Sequence, residues 1–425
     1  MFLFCGLILA VFISVNRHKD SLPEDSRILW NKTVTQYIKN DLWLDAGNMY
    51  DGANALMVPL HAAFIFEYKS GQREFSEHFT DFMKNDASTF LTTDDDIDLS
   101  REHYLYLASR FIALAASNKH YDLIPEGLPV RLKEEIAILW NKKPVRWCDG
   151  LIFGGGIRER LDWKLAREAT PVSYCLAITD QEVFLFAIAA DIRIYEKQAK
   201  LPEDPLLDEI LGYSRRTIEK YASYTDNGGW LFQPGIWRDH PDYVYAGNGS
   251  INSNLKPIPK DNIAEDSSHS HRWPIWLVSL IQASEPNSKD FVFYKELKGK
   301  LEKQFFDKVV APPTEQFRCY RVNNYMDGYN GIYRYNYATA GESNGYGPYE
   351  LSGILVDGWW GLFGTKKTHD LYANIAKCFP LDEIVVKVYV GPNTNRVRNE
   401  YVRWPDFFQN GFGELNVKLV SKMTI

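Results

Sequence analysis

VFLFAIAADIRIY, residues Val183 to Tyr195, is apolar over most of a helical circumference. A helix with that pattern is buried on most of its sides. Four more stretches read the same way: ANALMVPLHAAFIF from Ala53 to Phe66, YLYLASRFIALAA from Tyr104 to Ala116, WPIWLVSLI from Trp273 to Ile281 and LSGILVDGWWGLF from Leu351 to Phe363. Between them, Ser26 to Ile38, Val130 to Trp140, Pro205 to Tyr224 and Phe291 to Phe306 set apolar residues at helical spacing against a charged face. Buried helices alternating with half-exposed ones are what a ring of helical hairpins produces, its inner circle packed on two sides and its outer circle facing water. The expected fold is therefore mainly α, with one helical domain over residues 21–380. In residues 381–425, IVVKVYV from Ile384 to Val390 and LNVKLV from Leu415 to Val420 are β-branched and partly alternating, which predicts a small C-terminal β element packed on the helices.

Composition narrows the class. At 425 residues, 45% hydrophobic, the chain buries a large core, so disorder is excluded as its main state. Aromatic residues reach 14%, and many fall in the loops 145–160, 225–265 and 320–350, which argues for ordered, functional loops. The formal net charge of −7 repels nucleic acid, so no nucleic-acid partner is expected. Five scattered cysteines form no Cys-x-x-Cys pair, which disfavours a zinc ribbon or a dithiol redox site; four could form two disulfides, and buried thiols fit equally well. MFLFCGLILAVFISV, Met1 to Val15, reads as a membrane-targeting segment within residues 1–20. Signal peptide and uncleaved anchor both stay open. The basic residues after the run favour a cytoplasmic-facing body by the positive-inside rule, whereas a signal-sequence reading favours export; an exported or outward-facing body is preferred, and contact with a membrane is expected only through this segment.

Three polar groups are candidates for chemistry. The first is Glu265-Asp266-Ser267-Ser268-His269-Ser270-His271-Arg272, running into the buried Trp273 helix. If a helix begins near Asp266 or Ser267, then Glu265, Asp266, His269 and Arg272 share a face, and a carboxylate beside an imidazole tunes its tautomer and pKa. The plain alternative is that Asp266 or Ser267 only caps the helix and the histidines satisfy local carbonyls. The second group holds Trp230, Trp237, Arg238, Asp239, His240, Asp242 and Tyr243, aromatic faces and planar polar groups suited to sugars, or else a rigid loop that plugs the core. The third runs from Asn323 to Glu350. In an extended segment Tyr333, Tyr335 and Tyr337 would line one side, Asn344 follows, and Glu350 is expected in the first turn of the Leu351 helix. Asp45 and Asp51 read as helix caps.

Several sharper motifs fail. Asp94-Asp95-Asp96-Ile97-Asp98 formally matches a magnesium-binding Asp-Asp-x-x-Asp pattern, but its polar setting predicts a solvated capping turn. Gly154-Gly155-Gly156 lacks the spacing of a nucleotide loop, and there is no Gly-x-Ser-x-Gly or His-Glu-x-x-His. No cofactor and no metal site are expected, and the oligomeric state is left open.

The helical-hairpin ring, the aromatic loops and the Glu265-Asp266-Ser267-Ser268-His269 approach to an inner helix together resemble the α/α-toroid carbohydrate-active superfamily, which includes six-hairpin glycoside hydrolases, toroidal polysaccharide lyases and sugar epimerases. The resemblance is architectural, spans residues 26–380, and departs from the familiar lyases in lacking a large C-terminal β-sandwich. It implies a glycan substrate. Glycoside hydrolysis ranks first, with Asp266, Glu350 and Asp239 as carboxyl candidates and Trp230, Trp237, Arg238 and Tyr337 binding sugar. In a lyase, His269 or His240 with Tyr335 or Tyr337 would abstract a proton beside a uronic carboxylate that Arg272 or an asparagine such as Asn344 neutralises. An epimerase and a noncatalytic glycan-binding or assembly protein are the further alternatives.

Overall fold

A computed structural model describes residues 22–86, 95–148, 150–336, 344–392 and 399–424; Met1 to Val15, Asp94, Asp149, Tyr337 and Glu342 lie outside the described residues. The described chain is mainly helical: α1 (Glu24–Lys32), the one-turn α2 (Val34–Tyr37), α3 (Ala46–Ile65), α4 (Lys69–Asn85), α5 (Asp95–Ser117), α6 (Leu128–Asn141), α7 (Gly156–Leu165), α8 (Asp180–Ala199), α9 (Pro205–Tyr221), the one-turn α10 (Ser267–Ser270), α11 (Trp273–Ala283), α12 (Lys289–Gln304), α13 (Ile354–Asp357), α14 (Lys366–Ala376), α15 (Glu383–Val390), α16 (Asp406–Gln409) and α17 (Phe412–Val420).

Caps explain where the buried helices start. Ahead of α3, Asp45 accepts the Asn48 N–H at 3.0 Å, and Thr179 and Glu182 close a capping box on α8. Asp51, expected to cap, lies inside α3 and is buried. The apolar runs become α3, α5, α8 and α11, and nearly every residue from Met49 to Phe64 and from Gln181 to Ile194 is buried. α3 packs on α5, α5 on α8, α8 on α11, α11 on the 3-10 turn Trp359–Phe363, and that turn back on α3. The amphipathic helices lie against this circuit: α4 on α3, α6 on α5 and α8, α9 on α8, α12 on α11. Their buried residues recur at three- and four-residue spacing, as in Phe75, Phe79 and Phe82 of α4 or Tyr294, Leu297 and Leu301 of α12.

Two expectations are corrected. Leu351 to Phe363 is not one helix: α13 ends at Asp357, and Gly358 takes φ +89° with the Val58 and Val420 methyls 3.0 and 3.2 Å from where a Cβ would stand. Only glycine fits there. The C-terminal strands are also absent among the described residues. Ile384 to Val390 lies in α15, capped by Asp382 on the Val385 N–H at 2.9 Å, and buries Val385, Val386 and Tyr389. Leu415 to Val420 lies in α17, which packs on α1, α3, α13 and α14. β-Branched content is a weak local preference that a cap and a helical packing surface override.

The strands that do form are hairpins in the loops: β1 (Val145–Trp147) with β2 (Leu151–Phe153), β3 (Ala222–Tyr224) with β4 (Trp230–Phe232), and β5 (Val310–Ala311) with β6 (Arg321–Val322). Disulfides join Cys148 to Cys175 and Cys319 to Cys378. Asp98, expected in a solvated turn, is buried and ion-paired with Lys143. Among the described residues, no helix is long and apolar enough to cross a membrane.

Candidate active site

Between β4 and α11 the chain has little regular structure, and its order comes from side chains. Ser267 N–H donates to the Asn324 carbonyl at 2.8 Å, and Asp266 bridges to Tyr325, fastening this segment to the 320–350 loop. Asp266 is the N-cap of α10. Its Oδ1 accepts the Ser268 N–H at 3.0 Å, the Ser268 hydroxyl at 2.5 Å and the His269 N–H at 3.1 Å. Its Oδ2 accepts the Tyr243 hydroxyl and His269 Nδ1–H, each at 2.7 Å.

The two readings of this motif therefore hold at once: Asp266 caps the helix and orients an imidazole. Burial alone would raise its carboxyl pKa, but the His269 charge and this set of donors hold it well below the usual carboxylate range. Burial pulls His269 down, yet Asp266 more than offsets it and leaves the imidazole above its ordinary 6.5. With Nδ1–H committed to Asp266, the lone pair of neutral His269 sits on Nε2. The His269 side chain is 26% exposed, whereas Asp266 beneath it is fully buried.

His240 is fixed in the opposite sense. Its Nδ1 accepts the Asp242 N–H at 3.2 Å, so the ring proton stands on Nε2. Burial lowers its pKa, and the charges of Arg334 and His269 push the same way against Asp242 and Asp239. The ring packs edge-on against Tyr174, Trp237 and Tyr243, with centroids 4.8, 5.4 and 6.1 Å away. Tyr243 thus joins the two imidazoles, its ring against His240 and its hydroxyl on Asp266.

Around this pair lie further charges. Arg272 is buried and gives one guanidinium nitrogen to Asp180, at the start of α8, and another to the Tyr50 hydroxyl at 2.7 Å, in the first turns of α3. Glu265 takes the Ser270 hydroxyl at 2.7 Å. Burial, then the Asp180 and Asp266 charges, push its carboxyl up to about 7, against His269 and Ser270. Arg334 Nε donates to Asp242 at 2.8 Å.

Of the candidates from sequence, Asp266, His269 and His240 come together. Asp239 adjoins His240 but is tied to a turn, accepting the Ser173 N–H at 2.7 Å and the Ser173 hydroxyl at 2.6 Å, with its pKa lowered because these donors outweigh burial. The interactions described for Glu350 run to the Gly347 N–H at 2.7 Å and to Lys387, not to the Asp266 network, and Glu350 precedes a turn rather than a long helix.

The aromatic candidates are mostly structural. Trp230 is wholly buried, edge-on to Trp273 at 5.0 Å, so its faces serve the core. Trp237 is buried and stacked on Tyr243 at 5.6 Å. Tyr335 is buried with its hydroxyl on the Asn252 carbonyl at 2.8 Å. The extended tyrosine row does not form: Arg334 and Asn336 take φ of +55° and +61°, which turns the chain between the tyrosines, and Tyr337 lies outside the described residues. Asn344 accepts the Asn336 N–H through its carbonyl at 2.6 Å. Arg238 is exposed, and Arg272 is buried among protein partners.

Asp180 stands in none of the polar groups read from sequence, and Asp242 and Arg334 stand inside the second and third groups without a role of their own. The Thr179 to Glu182 capping pattern could have placed Asp180 at a helix start. Nothing local signals that Arg334 meets Asp242 across 92 residues. Among the described residues, no group of three or more His, Cys, Asp and Glu side chains is placed to hold a metal ion. Neither family models, nor curated proteins, nor solved structures give a match to this chain.

Proposed function

We propose that this chain is a carbohydrate-active enzyme that breaks glycosidic bonds by β-elimination, with His269 as the base. The observation that carries this reading is the Asp266–His269 dyad beside His240, two imidazoles held in complementary tautomers. His269 Nε2 takes the proton on the carbon next to a uronic carboxylate. His240 Nε2–H donates to the carboxylate oxygen on which charge gathers. The electron pair forms the carbon–carbon double bond, the glycosidic carbon–oxygen bond breaks, and the His269 imidazolium returns its proton to the departing oxygen. This arrangement favours elimination over the hydrolysis ranked first from sequence. A hydrolase needs two carboxyl groups across the scissile bond, and here Asp266 is spent on a cap and an imidazole, Asp239 on a turn, and Glu350 on the Gly347 N–H.

The circuit of contacts from α3 through α5, α8 and α11 back to α3 supports an α/α toroid, with the site where inner helices begin. The apolar Met1 to Val15 stretch and the two disulfides support an exported or outward-facing, oxidising setting.

The test is turnover of a panel of uronic-acid and neutral polysaccharides, read by the ultraviolet absorbance of an unsaturated product, for the wild type and His269→Gln. Because His269 must be neutral to act, turnover should rise with pH through a value above 6.5. New reducing ends without ultraviolet absorbance would assign hydrolysis, and altered sugar configuration at unchanged chain length would assign epimerisation. Full activity in His269→Gln removes the dyad from the mechanism.

A further inference from the structure

Resting on that reading, we infer that Arg334 is the residue that selects an anionic sugar, acting with His240 as a two-pronged carboxylate clamp assembled on Asp242. The sequence had pointed to Arg272 for this role, but Arg272 is 1% exposed and held by Asp180 and Tyr50. Arg334 is 24% exposed. It is fastened to Asp242 twice: its N–H donates to the Asp242 carbonyl at 2.9 Å, and its Nε to Asp242 Oδ2 at 2.8 Å. The Asp242 N–H donates to His240 Nδ1. One residue therefore sets both the proton position of His240 and the place of the guanidinium.

Three further observations converge. Arg334 lies within electrostatic reach of His240, His269 and Asp266, and its charge acts on all three. Its guanidinium lies 5.0 Å from the centre of the Tyr333 ring, whose own ring meets Tyr243 at 5.3 Å. Its backbone sits at φ +55°, a left-handed conformation that a non-glycine residue adopts only where its surroundings hold it. A planar guanidinium matches a carboxylate in two parallel hydrogen bonds, which a lysine ammonium cannot reproduce. A cation that neutralises the carboxylate also acidifies the neighbouring C–H, whose loss would otherwise build a second negative charge beside the first. The chain's net negative charge does not oppose this, because screening confines long-range repulsion while a local guanidinium acts at contact.

The experiment compares the full-length wild type, Arg334→Gln, Arg334→Lys and His269→Gln. Affinity is measured by calorimetry, and KM and kcat by turnover, on oligomers of galacturonate, glucuronate, mannuronate and guluronate and on their methyl esters. Loss of a charged hydrogen bond corresponds to about a ten- to hundredfold weaker complex. Arg334→Gln should raise Kd and KM by that factor on one acidic oligomer, lower kcat less, and bind the methyl ester as the wild type does. Arg334→Lys should recover only part of the affinity. His269→Gln should retain binding of the acidic oligomer. Equal affinity of wild type and Arg334→Gln for acidic oligomers, equal wild-type affinity for acid and ester, or no wild-type binding of any acidic oligomer would each overturn the role of Arg334. Unimpaired turnover in His269→Gln would instead overturn the elimination mechanism and leave the Arg334 binding result standing.

Discussion

Replacing Asp266 by asparagine tests the dyad without removing a helix cap. With the amide oxygen in place of Oδ1, the acceptor for the Ser268 N–H, the Ser268 hydroxyl and the His269 N–H survives. The amide nitrogen then faces the two donors on Oδ2. The Tyr243 hydroxyl can rotate to accept from it. His269 cannot keep a proton on Nδ1 against an N–H, so the proton moves to Nε2 and the base lone pair lies on the wrong nitrogen.

The folded state loses one charge-assisted hydrogen bond, about 1.5–3 kcal/mol. Where an aspartate-to-asparagine exchange behind a catalytic imidazole reverses the tautomer, turnover falls by about 10⁴, and a loss of that order is expected in Asp266→Asn. The native pKa of His269 lies above its ordinary 6.5 because of Asp266. The stabilisation of the imidazolium is therefore complete below 6.5 and is lost as pH rises through the native value; the variant lacks this dependence. Nitrogen-15 NMR of the imidazole reports the tautomer without any knowledge of the substrate, and urea unfolding reports the stability. An unchanged His269 tautomer in Asp266→Asn, with turnover within about a factor of three of wild type, would refute the reasoning.

Two predictions concern buried charge. Glu265 has its carboxyl pushed from the ordinary 4.5 to about 7, so native stability present below 4.5 should fade as pH rises through about 7, by about 3 kcal/mol in all. Glu265→Gln should flatten that decline in urea unfolding between pH 5 and 8, where the wild type's unfolding free energy should fall with pH; parallel curves for the two proteins would contradict it. Glu182 caps α8 and holds Lys164 Nζ at 2.6 Å and Arg160 Nε at 2.8 Å, all three buried. Glu182→Gln should lower the unfolding free energy by about 3–5 kcal/mol, because it strands the buried Arg160 guanidinium, whereas Lys164, which burial already pulls down to about 7, can shed its proton; a loss below 1 kcal/mol would mean that water reaches Arg160.

Periodicity and capping carried the local structure. Continuous apolar runs at Ala53 to Phe66, Tyr104 to Ala116 and Val183 to Tyr195 could only become helices buried on most sides, and they did. The spacing from Asp266 to His269 likewise brought carboxylate and imidazole together, because a cap and the third residue after it share one turn. Residue preference failed where a cap and a packing surface outweighed it. IVVKVYV has strand-forming residues, but Asp382 caps it and the packing of Val385, Val386 and Tyr389 favours a helix.

The aromatic residues show the same limit. Trp230 and Trp237 read as sugar platforms, yet whether an indole face meets solvent or another ring depends on what packs above it: Trp273 reaches Trp230 from another element, and Tyr243, six residues on, covers Trp237 only because the loop folds back on itself. The sequence alone determined the long buried helices α3, α5, α8 and α11 and that an acid and a histidine share one helix start. Only the tertiary structure decided which charges are spent on the fold and which surround the dyad. Arg272 meets Asp180, and Arg334 meets Asp242, each across 92 residues. Pairings at that separation are fixed by how helices and loops stack, not by the chemistry of neighbours along the chain.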